Sequence, residues 1–187
     1  MKRSLCSLAA LSLLTISSAA CADGWKILPF QDADWKPNFT LAAVVGSMDV
    51  KDLGAATYQG LEFSLDCPWF QPPKGTLCQQ FNYGTYSKDN VSLTSWEMNP
   101  QYYMTVAEGW TVGFGPGVGY IQGTVGAYEA KLPSIQFSAD VNYRKGHYFA
   151  GFGARVQNAR NDLITSGSTT LPGLDNSVMS VKVGYNF

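Results

Sequence analysis

The chain has 187 residues, enough for one domain beyond an export signal, and a formal net charge of −1. Only 14% of the residues are charged, against ~25% in a typical soluble domain. This balance excludes the basic face that nucleic-acid binding requires, and beyond the N-terminus no segment has the ~18 apolar residues of a membrane helix. Few charges with many aromatic residues are typical of a β-sheet that faces lipid.

The N-terminus has the three parts of a secretory signal peptide. A basic start at residues 1–3 precedes an apolar segment at 5–16 and small residues that end in an Ala-Cys-Ala cleavage pattern at 20–22. We therefore predict that residues 1–22 are removed during export. Loss of two of the 13 basic residues leaves 11 against 14 acidic ones, a net charge of −3. A retained anchor and a lipid-modified Cys21 are the two alternatives.

Residues 23–37 form a separate segment before the first predicted strand. Its apolar residues, among them Trp25, Phe30 and Trp35, are interspersed with charged ones. Their spacing matches no single helical face, which favours an irregular tail with aromatic anchors. An amphipathic segment that lies at a membrane interface is the alternative.

Residues 38–187 contain eight segments in which apolar and polar residues alternate, as in half-buried β-strands. In the four clearest, the alternation extends over the ~9–11 residues with which a tilted strand crosses a membrane. Strands of soluble proteins are nearer ~5–6 residues long. The predicted strands are residues 38–48, 58–66, 79–87, 96–106, 110–121, 134–143, 148–157 and 179–187. Their length and even number predict an all-β fold, an antiparallel up-and-down transmembrane β-barrel.

One predicted strand departs from strict alternation near its start. Val91 and Leu93 have the parity opposite to that of Trp96, so the apolar face changes side within a few residues. An extra residue in the strand would restore the pattern. We therefore predict a β-bulge near Ser95.

Two cysteines flank the connection between the second and third predicted strands. Cys67 and Cys78 enclose a segment with three prolines and one glycine. Two thiols that close a short loop in an exported protein predict a disulfide bond, with two free thiols as the alternative. Additional ligand residues do not lie nearby, so we predict neither a metal site nor a cofactor.

The inward face of the predicted barrel carries both acids and bases. By the alternation of the strands these residues are Glu62, Asp66, Glu97, Asp140, Arg155 and Lys182. Buried charges must be paired or hydrated, which predicts a polar network in the lumen. An eight-stranded barrel is only wide enough for side chains to fill it. Glycines at every second position from Gly113 to Gly119 leave room for large residues opposite, such as Tyr103.

The last predicted strand ends in alternate apolar residues with a final aromatic one, namely Val181, Val183, Tyr185 and Phe187. This end resembles the C-terminal strand of Gram-negative outer-membrane barrels. With the signal peptide and the alternating strands, it makes the chain resemble the eight-stranded outer-membrane barrels of the OmpA/OmpX-like class. The resemblance implies a place in the cell outer membrane, contact with lipid and lipopolysaccharide, and insertion by the barrel-assembly machinery, which reads the terminal strand.

The class also implies a sidedness, since short turns face the periplasm and longer loops face outside. The turns at 107–109 and 144–146 are then periplasmic, and residues 23–37 lie in the periplasm or at the membrane interface. The expected extracellular segments are residues 49–57, 87–90, 122–131 and 158–176. The connection between Cys67 and Cys78 falls on the periplasmic side, where its length is unusual.

The predicted function is a structural or surface-interaction role for a monomeric, non-catalytic barrel with a filled lumen. A small porin-like channel and a lipid A-modifying barrel enzyme are two alternatives. The enzyme would need a histidine beside a serine and an acid, whereas His147, the single histidine, follows the short turn at 144–146, opposite the lipid A leaflet. A soluble exported β-sandwich is the third alternative, because alternation alone does not distinguish lipid from a protein core.

Overall fold

The computed structural model describes residues 24–125, 128–159 and 174–187. Eight strands in these ranges close into one antiparallel barrel, and two short strands form a separate ribbon. The strands are β1 (Lys26–Ile27), β2 (Thr40–Val50), β3 (Gly54–Asp66), β4 (Phe70–Gln71), β5 (Thr76–Lys88), β6 (Val91–Ala107), β7 (Trp110–Val125), β8 (Tyr128–Lys145), β9 (Tyr148–Ala159) and β10 (Asn176–Asn186). Around the barrel the order is β10-β2-β3-β5-β6-β7-β8-β9.

The predicted fold class is confirmed. Each barrel strand pairs with its neighbour in the chain, and β10 pairs with β2 to close the sheet, as in an up-and-down barrel. This closure excludes the soluble sandwich, in which two separate sheets would pack face to face. No helix in the described ranges is long and apolar enough to cross a membrane.

The two ends of the barrel differ in their connections. At the end where β2 begins and β10 ends, called the terminal end here, the turns at 108–109 and 146–147 are short and only residues 67–75 are longer. At the opposite, distal end, residues 51–53 and 89–90 join their strands tightly. The signal peptide, Cys21 and residues 160–173 of the predicted 158–176 loop lie outside the described residues.

The distal strands are longer than predicted, which corrects the expected loops. The segments at 49–57 and 122–131 are mostly strand, because β2 continues to Val50 and β7 to Val125. Strands β6, β7 and β8 have 17, 16 and 18 residues. Inward-facing apolar residues such as Val50 and Ile121 are fully buried at this end, and that burial stabilises the strands beyond their predicted ends.

The bulge predicted near Ser95 is wrong. Strand β6 pairs without a register shift from Val91 to Met98, and its irregularity lies between Thr105 and Ala107. Leu93 and Ser95 are both buried, so they share the inward face, while Trp96 is exposed on the outer wall. The parity did not change; the inward face becomes apolar toward the distal end.

The seam between β6 and β7 is interrupted at two facing prolines. The register pairs Met98 with Val118 and Tyr102 with Phe114, which sets Pro100 opposite Pro116, but no pair forms between these two positions. Proline has no amide N–H, so both ladder hydrogen bonds of this pair are missing. The gap is a second interruption of this ladder, apart from the irregularity between Thr105 and Ala107.

The outer wall of the barrel is apolar and aromatic. Leu61, Ile135 and Val183 expose 53%, 59% and 62% of their surface. Toward the distal end Tyr83 packs against Trp96, with ring centroids 4.6 Å apart, and at the terminal end Trp110 packs against Tyr143 at 5.0 Å. An apolar outer face with clustered aromatic residues is typical of a barrel that faces lipid.

Candidate functional site in the barrel lumen

Lys182 is the centre of a charged network in the middle of the lumen. Its Nζ lies 3.0 and 2.9 Å from the two carboxylate oxygens of Glu62, and 3.2 Å from Oδ1 of Asp140. The three residues come from β10, β3 and β8, none of which are neighbours in the barrel. The ammonium group therefore connects β10 with β3 and β8 across the lumen, and its positive charge partly balances the negative charges of both carboxylates.

A second ion pair crosses the lumen beside the first. Arg155 on β9 donates to Glu97 on β6, three strands away around the barrel. The Nε2 of Gln136 donates to the other oxygen of Glu97 at 3.1 Å, and Gln157 Nε2 donates to Gln136 Oε1 at 2.7 Å. Arg155 also lies over the ring of Tyr58, 5.4 Å from its centroid. A chain of polar contacts thus crosses the lumen from β6 to β9.

Tyr103 links the acidic part of the network to the glycine-rich strand. Its hydroxyl donates to Asp140 Oδ2 at 3.0 Å, and Gln80 donates to the same hydroxyl at 2.7 Å. Gly113 is its partner on β7, and a side chain at that position would collide with the tyrosine ring. The missing side chain on β7 provides the space that Tyr103 occupies.

Little open space remains among these side chains. A cavity of about 40 Å³ lies between Lys182, Arg155, Glu62 and Asp140. A single buried water needs roughly 10–15 Å³ of such volume, so the cavity has room for very few molecules. The middle of the lumen is therefore occupied mainly by paired side chains.

The distal end of the lumen is filled by a different material, an apolar cluster. Its buried members are Met48, Val50, Tyr58, Tyr86, Leu93, Ile121, Ala130, Leu132, Ala159, Leu174 and Val178. The hydroxyl of Tyr86 donates to the Gly54 carbonyl at 2.9 Å, so its ring enters the cluster with the polar group satisfied. Sequence reasoning missed this cluster, although the inward parity of Ile121 and Leu93, continued past the predicted strand ends, would have indicated it.

The structure brings together five of the six charged residues predicted for the lumen. Glu62, Glu97, Asp140, Arg155 and Lys182 are each at most 9% exposed. Asp66 is apart from them at the terminal end of β3, where it accepts a hydrogen bond of 2.5 Å from Asn38. The alternation along β3 therefore predicted the inward face for Asp66 correctly, but Asp66 is not part of the charged network.

The predicted disulfide is not formed. Cys67 and Cys78 are free thiols, and both are buried. The register sets Cys78 opposite Asp66, while the Cys67 amide donates to the Leu77 carbonyl at 2.8 Å. The cysteines are thus one position out of register, and they do not face each other across the two segments.

The terminal strand presents its predicted signal residues outward. Val181 and Val183 are more than half exposed, Tyr185 is 39% exposed, and Phe187 is 72% exposed. The rings of Tyr185 and Phe187 pack edge to face at 5.2 Å, and the Phe187 amide donates to the Phe39 carbonyl at 2.9 Å. These four side chains therefore form part of the apolar outer wall.

His147 lies in an exposed turn at the terminal end. Its Nδ1 is 2.9 Å from the Asn186 carbonyl oxygen, and its ring stacks on Tyr185 at 5.3 Å. These contacts attach the turn to the end of β10. In the part of the chain that the structure describes, no three His, Cys, Asp or Glu side chains are grouped so as to hold a metal ion.

Solved structures of three bacterial barrels have similar folds. Neisserial surface protein A aligns over 80% of this chain and 96% of its own, with a TM-score of 0.53 and 12% identity. Ail, the attachment invasion locus protein of Yersinia pestis, aligns over 80% of this chain and 97% of its own, with a TM-score of 0.53 and 8% identity. The N-terminal β-barrel domain of Pseudomonas aeruginosa OprF aligns over 81% of this chain and 100% of its own, with a TM-score of 0.50 and 14% identity.

These likenesses confirm the predicted resemblance at the level of the fold. The three structures are eight-stranded outer-membrane barrels, and the same number of strands closes the barrel described above. Identities of 8–14% show a shared fold, and a fold alone does not select a function. No protein-family model and no curated protein matches the sequence.

Proposed function

We propose that the protein is a barrel of the bacterial outer membrane with a structural or surface-interaction role and a lumen closed to solutes. The observation that carries this proposal is the double filling of the lumen. Ion pairs cross its middle, and the apolar cluster fills its distal end. A small solute or ion would have to displace both in order to pass.

The energetics of the two layers support a closed state. Opening the middle of the lumen requires separating Lys182 from Glu62 and Asp140, which are nearly inaccessible to solvent. Leaving either sign of charge unpaired in such a site is strongly unfavourable. Opening the distal end would expose the side chains of the apolar cluster to water. The free-energy cost is roughly 25 cal/mol for each Å² of apolar surface exposed.

The placement of His147 argues against the lipid A-modifying enzyme. Its contacts are with a backbone carbonyl and an aromatic ring, rather than with a hydroxyl and an acid. Nucleophilic catalysis requires a base within hydrogen-bond reach of the nucleophile. We therefore favour a non-catalytic role, in which His147 holds the end of β10.

Outer-membrane lipid, lipopolysaccharide and the barrel-assembly machinery are the partners of this proposal, and the barrel acts as a monomer. The exposed residues of the terminal strand form the surface that the assembly machinery would contact. Deletion of Phe187 should lower the amount of protein in the outer membrane and leave material in the periplasm. Normal membrane levels, with unchanged migration of unboiled protein on a gel, would argue against this role.

Vesicle swelling tests the closed lumen. Purified protein, checked for a shift in gel migration between unboiled and boiled samples, is reconstituted into vesicles. The vesicles are then diluted into solutions of sugars of increasing molecular size. Vesicles with the barrel should swell no faster than empty vesicles. Rapid swelling that depends on sugar size would refute the closed lumen and support the small porin-like channel.

A further inference from the structure

A group of exposed apolar side chains lies at the terminal end, outside the barrel sheet. They belong to the N-terminal segment and to the connection between β3 and β5. The group consists of Trp25, Ile27, Leu28, Phe30, Trp69 and Phe70, each between 36% and 55% exposed. We refer to these six residues as the apolar ribbon.

The apolar ribbon is a folded unit rather than a loose tail. Strand β1 pairs with β4, with Ile27 opposite Phe70, and the Leu28 amide donates to the Trp69 carbonyl at 2.7 Å. The side chain of Gln71 then fixes the connection to the barrel. Its Nε2 donates to the Cys67 carbonyl at 3.0 Å and to the Leu77 carbonyl at 2.8 Å. Backbone hydrogen bonds therefore hold four of the six apolar residues, and Trp25 and Phe30 flank them in the chain.

The connection that carries Trp69 and Phe70 is joined to the outer wall. The hydroxyl of Tyr102 donates to the carbonyl of Lys74, in the same connection, at 3.0 Å. The ring of Tyr102 packs edge to face against Phe114, which is 41% exposed on the outer wall. The connection is thus fastened to a residue of the apolar outer surface.

We propose that the apolar ribbon is a membrane-interface anchor that inserts into the phospholipid leaflet at the terminal end of the barrel. This proposal rests on the proposed function, because it requires the barrel to be in a membrane. Continuity with the outer wall through Tyr102 selects lipid as the occupant. Two tryptophans with lysines close by in sequence, Lys26 and Lys74, have the composition of an interfacial belt, where amphipathic rings lie among headgroups.

Tryptophan quenching tests the anchor in the full-length folded protein. Variants that keep one tryptophan, at position 25, 69 or 96, with the others replaced by phenylalanine, are folded into phospholipid vesicles. The lipids carry bromine atoms near the top of their acyl chains. Trp96 is the control, because it is 57% exposed on the outer wall. We expect Trp69 and Trp25 to lose emission to brominated lipid to an extent comparable with Trp96, and to be shielded from aqueous iodide.

The control separates the two ways in which the proposal can fail. If Trp96 is quenched by brominated lipid while Trp25 and Trp69 are quenched only by iodide, the barrel is in the membrane and the anchor is refuted. If Trp96 is not quenched either, the proposed membrane function itself fails, and the anchor with it. Shielding of Trp69 from both quenchers, together with a dimer on cross-linking, would show a second copy as the occupant and refute lipid.

A second variant tests the contribution of the pair at the centre of the ribbon. Replacing Ile27 and Phe70 by serine removes two apolar side chains and keeps the backbone pairing of β1 with β4. Quenching of Trp25 by brominated lipid should fall, while quenching of Trp96 stays unchanged. Unchanged quenching of Trp25 in this variant would contradict an anchor formed by the ribbon as a whole.

Discussion

The middle and the distal end of the lumen solve the same packing problem with opposite chemistry. In the middle, Lys182 and Arg155 bind carboxylates on distant strands. At the distal end, Ile121 and Leu132 are buried among other apolar side chains. Charged groups are stabilised only in specific pairs, whereas apolar contacts are non-directional. The first region is therefore sensitive to the identity of each side chain, and the second mainly to lost volume.

The largest effect is expected from Lys182→Met in the middle of the lumen. This change leaves Glu62 and Asp140 buried without their cation, and removing one partner of a buried pair costs about 3–5 kcal/mol. Unfolding in urea, followed by tryptophan fluorescence of protein in vesicles, measures the loss. A triple variant that also carries Glu62→Gln and Asp140→Asn should recover most of it. Equal stability of Lys182→Met and wild type would show that the network is not buried as described.

A smaller loss is expected at the distal end. Leu132→Ala removes a side chain that is 1% exposed, and such a cavity costs about 2–5 kcal/mol. Leu61→Ala on the outer wall is the matched control, because its side chain is 53% exposed and leaves no cavity. The same urea titration should give a clearly smaller loss for Leu61→Ala. Equal losses for the two variants would mean that the distal cluster is no more tightly packed than the outer wall.

The smallest effect concerns the seam beside the polar middle of the lumen. Pro116→Thr restores an amide that can donate to the carbonyl of Pro100, and one such hydrogen bond contributes about 0.5–1.5 kcal/mol. Hydrogen exchange of the amides near Phe114 and Val118 should become slower. Val118→Thr, which introduces the same residue on the same strand without removing a proline, should not slow exchange. Unchanged exchange in Pro116→Thr would mean that the restored amide does not close the seam, and faster exchange would mean that the substitution weakens it further.

The sequence predicts the barrel well because alternation and barrel architecture are linked by simple geometry. Successive residues of a strand point to opposite faces, so Glu97 and Arg155 could be assigned inward from parity alone. Which acid meets which base could not be predicted. Arg155 and Glu97 are three strands apart, and their meeting depends on the stagger of the closed sheet, which no single strand encodes.

Other errors of the sequence analysis have identifiable causes. The distal cluster was missed because the predicted strands ended short of several of its members, such as Val50 and Leu132. The disulfide was expected from chain separation, but the register sets Cys78 opposite Asp66. The pairing of Ile27 with Phe70 joins segments far apart in sequence and too short to show a period. Each of these features depends on non-local pairing rather than on composition.

Electrical recording across a planar lipid bilayer tests the closed lumen most directly. Wild-type barrels, verified as folded by their gel migration, should show no stable current steps above the lipid baseline. Arg155→Ala should destabilise the barrel and allow a small leak, because it disturbs the polar middle of the lumen. The double variant that also carries Leu132→Ala should leak more. A large, stable and ion-selective current through the wild-type protein would contradict the account, because it would require a continuous water path through both filled regions.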